Sequence, residues 1–228
     1  GDSEEFWVRF WNAATRVVSQ DSPHFCLPSR NYKLGAGHCV NFGFGYDDSS
    51  DTCKVVVVLL DVKSQQVEVR VYSFGDTRWK KKLTFPAFPV LGLSGRFVNG
   101  TMNWLALRRL SSDYRWYSVV TINELVIFSY DLQNEIYHYL SLPGGLTEVP
   151  PDEPELGVLK RCLCLSHDHR RTHFVVWLMR EFGDEKSWTR LLNVSYEHLQ
   201  IGERYLLPWC TPLCMSEDED VILLANNA

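Results

Sequence analysis

The residues with the most reactive side chains sit in one short run, His167-Asp168-His169, followed by Arg170, Arg171 and His173. Imidazoles at i and i+2 of a strand share a face, which is one way two ring nitrogens reach a transition metal. No third ligand stands at a recognisable spacing. The run also falls between Leu165 and Phe174, where two apolar stretches meet and a hairpin tip is expected, so it reads as a polar turn. Other chemical patterns fail on their own terms. Leu93-Ser94-Gly95 has glycine on only one side of the serine, and a nucleophile elbow needs both. Gly43-Phe44-Gly45 lacks the third glycine and following helix of a dinucleotide site. His38 beside Cys39 is a sequence neighbour, whereas reactive pairs meet in space. Glu217-Asp218-Glu219-Asp220 lacks the glycine and closing glutamate of a calcium loop and reads as a solvated turn. Nucleophile, base and oxyanion donor are nowhere assembled. The expectation is a protein that binds, with no catalytic residue, cofactor or metal.

The elements that carry these residues are strands. Val69–Trp79, Val126–Tyr137 and Val175–Trp188 each give a β-prone run, a Gly/Asp/Asn turn and an aromatic opening the next run. Their anchors Trp79, Tyr137 and Trp188 are spaced by about 58 and 51 residues, near the roughly 40–50-residue unit of a β-propeller blade. Asn99-Gly100 between apolar runs is a strong hairpin signal. Lys54–Leu60 is a continuous apolar run, as for a strand covered on both faces, while Phe42, Phe44 and Tyr46 alternate onto one side. Further strands are expected at 6–11, 96–98, 102–107, 119–122, 135–141, 157–166, 172–180, 188–196, 205–216 and 220–225. Apolar spacing of three and four is nowhere sustained. The expected fold is all-β, a β-propeller-like array of four-stranded antiparallel blades over residues 1–228 as one domain. About five units are counted, the first and last incomplete.

Composition narrows the function classes. The 228 residues carry a net charge of −5, which repels phosphate backbones and argues against nucleic acid as a main partner. Arg78-Trp79-Lys80-Lys81-Lys82 reads as a solvated strand face. The eight tryptophans read as core filler. No apolar run is long enough to span a bilayer, and no signal peptide is visible. The seven cysteines, Cys26, Cys39, Cys53, Cys162, Cys164, Cys210 and Cys214, are odd in number and lack finger spacing. They read as reduced, buried thiols of a cytoplasmic or nuclear protein.

Six further runs resemble a known family in its own order. Phe10-Trp11-Asn12-Ala13-Ala14-Thr15-Arg16 resembles the "WNP-A/S-T-R" signature of plant F-box-associated domains, type 1. Phe42–Asp47 is similar to "GFGYD", and Cys53-Lys54-Val55-Val56 to "YKVV". Val69–Ser73 resembles "VEVYSL" with Trp79 at its end, Phe97–Ala106 resembles "FVNGALHWLA", and Ile127–Leu132 resembles "I-SFDL". Ala13 departs from the usual proline, a change worth about 0.4–1 kcal/mol of unfolded-chain entropy. The resemblance implies a kelch-related β-propeller that captures target proteins for an SCF-type ubiquitin ligase. It also implies that Skp1 and the cullin are reached only through an F-box, and this chain holds no F-box-like helical segment. The loops expected to read a partner are 19–38, 108–118, 143–155 and 181–187. In the second, Tyr114, Arg115, Trp116 and Tyr117 are of types enriched at binding hot spots. A kelch-like propeller with carbohydrate-binding or metal-dependent enzymatic activity is the alternative, and would need polar groups converging near the central channel. A secreted β-sandwich would need paired cysteines.

Overall fold

The computed structural model describes residues 3–28, 38–61, 66–84, 87–90, 94–109, 116, 119, 121–200 and 209–227. The N-terminal segment carries β1 (Ser3–Phe6), β2 (Trp11–Asn12), β3 (Val17–Val18) and β4 (Phe25–Pro28), with β1 paired to β4 and β2 to β3. The first four-stranded sheet is β5 (His38–Asp47), β6 (Thr52–Asp61), β7 (Gln66–Ser73) and β8 (Lys80–Thr84), in that order. The second contains β9 (Phe88–Pro89), β10 (Arg96–Val98), β11 (Thr101–Leu107), β12 (Leu125–Asp131) and β13 (Tyr137–Leu140). In it β9 and β10 both flank β11, at Leu107–Ala106 and at Asn103–Thr101. The third is β14 (Glu155–Leu159), β15 (Cys162–His169), β16 (His173–Met179) and β17 (Trp188–Ser195). A final antiparallel pair, β18 (Trp209–Met215) and β19 (Ile222–Asn227), follows.

The leading strands touch in succession: β5 meets β10, β10 meets β14, and β14 meets β18. Sheets that share a leading edge and splay outward are propeller blades. Ring closure is not observed among the described residues.

The apolar run of β6 explains the first interface. Val56, Val58 and Leu60 belong to the core shared with Met102, Trp104 and Phe128 of the second blade. Val55, Val57 and Leu59 face the other way, against Phe25 and the N-terminal Phe6, Val8 and Phe10. Two covered faces require an unbroken apolar strand, and period-2 alternation splits it between them. The same logic builds Leu105 and Ile127 against Leu163 and Leu165, then Val176 and Leu178 against Cys210.

Glycine sets how closely β5 approaches the second blade. A Cβ on Gly45 would clash with the Phe97 ring and come within 2.7 Å of Leu132. One residue on, the opposite face presents Phe44 and Tyr46 instead. At the end of β5 the chain buries a charge pair. Lys54 Nζ lies 2.7 Å from Asp47 Oδ2, with side chains 8% and 2% exposed. Lys54 also donates to the Leu132 carbonyl at 2.7 Å, so it bridges the first two blades. Ser49 and Ser50 hydroxyls complete the Asp47 shell. Burial alone would raise the Asp47 carboxyl, but the hydrogen bonds from Lys54, Ser50 and Ser49 win and hold it well below the usual carboxylate range.

Polar ties recur at the next junctions. Arg96 Nε donates to the Leu156 carbonyl at 2.7 Å and its Nη2 pairs with Glu155 at 2.9 Å. Glu155 in turn accepts from Thr211 at 2.9 Å. Two of the repeat anchors act alike: the Trp188 indole donates to the Ser141 carbonyl at 3.1 Å, and Trp79 to Pro23 at 2.6 Å.

Several sequence expectations change. The segment 19–28 is not all connection, because β4 pairs with β1 there. The described residues of the run 119–122 are not in a strand; Ile122–Glu124 is a 3-10 turn with its capping box formed by Thr121 and Glu124, and residue 120 lies outside the described residues. His167–His169 belong to β15, and the tip is Arg170–Arg171, both at positive φ (54° and 56°). The tip is closed by the Thr172 N–H to the His169 carbonyl at 3.1 Å. Tryptophan is not uniformly core: Trp104 is buried, but Trp11 is 67% exposed. The six described cysteines are free, and Cys26 and Cys214 are exposed rather than buried. Strand 205–216 starts at Trp209 among the described residues, and Cys39's side chain and the 29–37 part of loop 19–38 lie outside them. No helix among the described residues is long and apolar enough to cross a membrane.

Replacing Lys54 by alanine strands the Asp47 carboxylate in the interior, and urea denaturation should register a loss of about 3–5 kcal/mol. Wild-type stability from this carboxylate is present above its unfolded pKa of roughly 4 and is lost as pH falls through its depressed folded value. Gly45→Ala should cost about 1–3 kcal/mol in the same assay, since the added methyl forces the Phe97 ring and Leu132 to shift.

Candidate functional site

In an antiparallel blade, the turn from second to third strand and the passage to the next blade leave from the same end. At this end the chain gathers the 108–124 connection, the 141–154 passage and the β15–β16 tip. Contacts join all three. The Trp116 indole donates to the Pro150 carbonyl at 2.8 Å. Glu148 accepts two bonds from Arg170, at 2.7 and 3.1 Å, with His169 at 3.5 Å. Arg171 lies 3.5 Å from Asp152. Behind the tip, the Tyr196 hydroxyl donates to Asp168 at 2.7 Å.

The reasons are local. Proline at 143, 150, 151 and 154 ends β13 and keeps the passage irregular. The tip arginines point outward from a left-handed turn, and Arg170 is 70% exposed. Its hydrogen bonds draw the Glu148 carboxyl below its ordinary value. Burial raises the Asp152 carboxyl and, with the Asp168 bond, the Tyr196 phenol.

Under the passage lies a cavity of about 80 Å³, lined in part by Gly145, Glu148, His167, Trp177 and Arg190. His167 is 6% exposed. Its Nδ1 lies 2.9 Å from the Asp168 carbonyl and its Nε2 accepts from the Trp177 indole at 3.3 Å. That pattern fixes the neutral ring with its proton on Nδ1. Burial pushes its pKa below the ordinary value. Among the described residues no group of three His, Cys, Asp or Glu is placed to hold a metal. The His167/His169 pair is spent on structure: one ring is inside the blade, the other on Glu148.

Of the four residues expected to touch a partner, Trp116 is at this loop end, half-buried against the first core. Tyr114, Arg115 and Tyr117 lie outside the described residues. The 181–187 loop joins β16 to β17 at the other end of the sheet from Arg170, and Glu185 there accepts from the Ser141 N–H at 2.6 Å.

A second surface was not anticipated as a site. On the first blade a groove of about 700 Å³ is lined by Phe10, Trp11, Phe42, Phe44 and others. Phe10 packs between Phe44, Tyr72 and Phe74, with ring centroids 5.1–6.1 Å apart. Phe44 and Phe74 remain more than half exposed. The alternation of Phe42, Phe44 and Tyr46 was the available signal. It reveals an aromatic face but not whether that face is covered.

The fold and the signatures agree with the comparisons. Residues 11–227 match the family described as the F-box associated beta propeller domain, and the chain belongs to that family. It is 32% identical over 193 residues to F-box/kelch-repeat protein At3g23880 of Arabidopsis thaliana, covering 81% of this chain and 46% of the relative. F-box protein At4g22390 of the same plant is 29% identical over 207 residues, 83% of this chain and 48% of the relative. F-box protein CPR1, also from Arabidopsis, is 27% identical over 238 residues, 95% and 54% respectively. The chain thus spans about half the length of these relatives.

The ion pairs at the loop end are solvent-exposed, so they add little to stability. Arg170→Glu with Arg171→Glu should shift the unfolding free energy by less than about 1 kcal/mol in a denaturant titration.

Proposed function

We propose that this domain is the target-capturing module of an F-box protein, a binding and not a catalytic unit. In this reading it holds a protein to be ubiquitinated by an SCF-type ligase. Skp1 and the cullin are engaged by an F-box elsewhere in the full-length protein. Membership of the F-box associated family and the F-box names of its relatives support the reading.

The observation that carries the choice of surface is the meeting of three connections at one end of rigid blades. A packed scaffold supplies position and the connections supply identity. Mixed charge from Glu148, Asp152, Arg170 and Arg171 gives such a surface electrostatic selectivity, which acts on encounter rate and rejection of wrong partners. Trp116 brings its loop to the same end, and Tyr114, Arg115 and Tyr117 are proposed to extend the contact. The free thiols fit action in the cytoplasm or nucleus.

Affinity capture with the full-length protein, ubiquitin transfer blocked, tests this. Tyr114→Ala/Trp116→Ala and Arg170→Glu/Arg171→Glu variants should each retain at least about tenfold less target, the effect of losing a hot spot. Both variants holding every wild-type target at wild-type level, with unchanged melting, would remove the loop end from the reading.

A further inference from the structure

We propose that His167 latches the segment 143–150 onto the third blade and releases it on acidification. Gly145 abuts the Cη2 edge of the Trp177 indole, so close that a Cβ there would collide with the ring. Leu146 beside it is buried among Leu156, Leu163 and Trp188. The indole packs against that cluster and its N–H donates to His167 Nε2 at 3.3 Å. His167 has no spare site for a proton, because its Nδ1 is already bonded to the Asp168 carbonyl.

A proton on Nε2 would place two N–H donors face to face with no acceptor between them. A buried donor left unmatched forfeits its desolvation energy, so one ring must turn. Turning the indole removes the seat of Gly145, and the segment behind it loosens. The surrounding charges do not rescue the imidazolium. Asp168 and Glu148 favour it, but burial outweighs them; Arg190 from β17 lines the same cavity. The His169 ring lies 6.4 Å away on β15. Glu148 from the passage is already held by Arg170, and Asp168 by Tyr196 and the Arg171 N–H. Burial favours the neutral ring in the folded state, so acid weakens the latched form and neutral pH restores it.

The latch belongs to the blade and holds whether or not the loop end captures a target. Hydrogen exchange, corrected for intrinsic rates, reads it directly. The Leu146 amide, bonded to the Pro143 carbonyl at 2.9 Å, should exchange about tenfold faster at about pH 5 than at about pH 7.5, while β11 keeps its protection. His167→Gln offers an oxygen to Trp177 and an N–H to Asp168, and should abolish the acid response; His169→Gln should keep it. In wild-type protein the His167 ring, followed by NMR, should titrate below the ordinary value of about 6.5. No acid response in wild type, an unchanged response in His167→Gln, or titration of His167 at or above the ordinary value overturns the proposal.

Discussion

The first two blades depend on an ammonium and a carboxylate sealed between them. Apolar faces supply most of the attraction between blades, but apolar attraction is non-directional and tolerates sliding. Lys54 removes that freedom. It must satisfy Asp47 on its own sheet and the Leu132 carbonyl on the next, and both bonds are 2.7 Å long. A pair this buried contributes little net energy against a hydrophobic replacement, yet breaking it is costly. Its role is therefore registry. Arg96 repeats the device between the second and third blades, again through a neighbour's backbone carbonyl. Trp188 repeats it with a neutral donor.

This explains what the family signature encodes. Gly43, Gly45, Asp47 and Lys54 lie in the "GFGYD" and "YKVV" runs, and all four face a blade junction. Asn99-Gly100 makes a turn with both residues at positive φ, and Trp104 fills the first core. These residues build the scaffold and not the loops. Membership of the family therefore fixes architecture far more tightly than it fixes any partner.

The same division governs what was legible in the sequence. Strands β5–β7, β11, β12 and β16 were readable because each has a covered face and so a constrained pattern, whereas the one strand expected over 157–166 is two, β14 and β15, joined by a turn at Lys160–Arg161. Asn99-Gly100 was readable because its turn type demands those residues. The sequence was silent where distant segments decide. β4 exists because β1 lies beside it, and Phe25-Cys26-Leu27-Pro28 carries too short a pattern to announce that. At Thr121–Glu124 a capping box competes with β propensity. His167 looked like a turn residue because polar neighbours surround it; the Trp177 indole that makes its burial tolerable is 10 positions away. The contacts of Trp116 with Pro150 and Arg170 with Glu148 span 34 and 22 positions, beyond any periodicity. Which loops converge thus became visible only in three dimensions.

The tip of the third blade sits in a conformation that suits glycine or asparagine far better than arginine, yet both positions are arginine. Local preference is thus already set aside there. Most exchanges at 170 or 171 would leave the hairpin no worse off, and several would improve it. The ion pairs at this tip are solvent-exposed and weak, so a lineage could diversify its side chains at little cost to the propeller beneath.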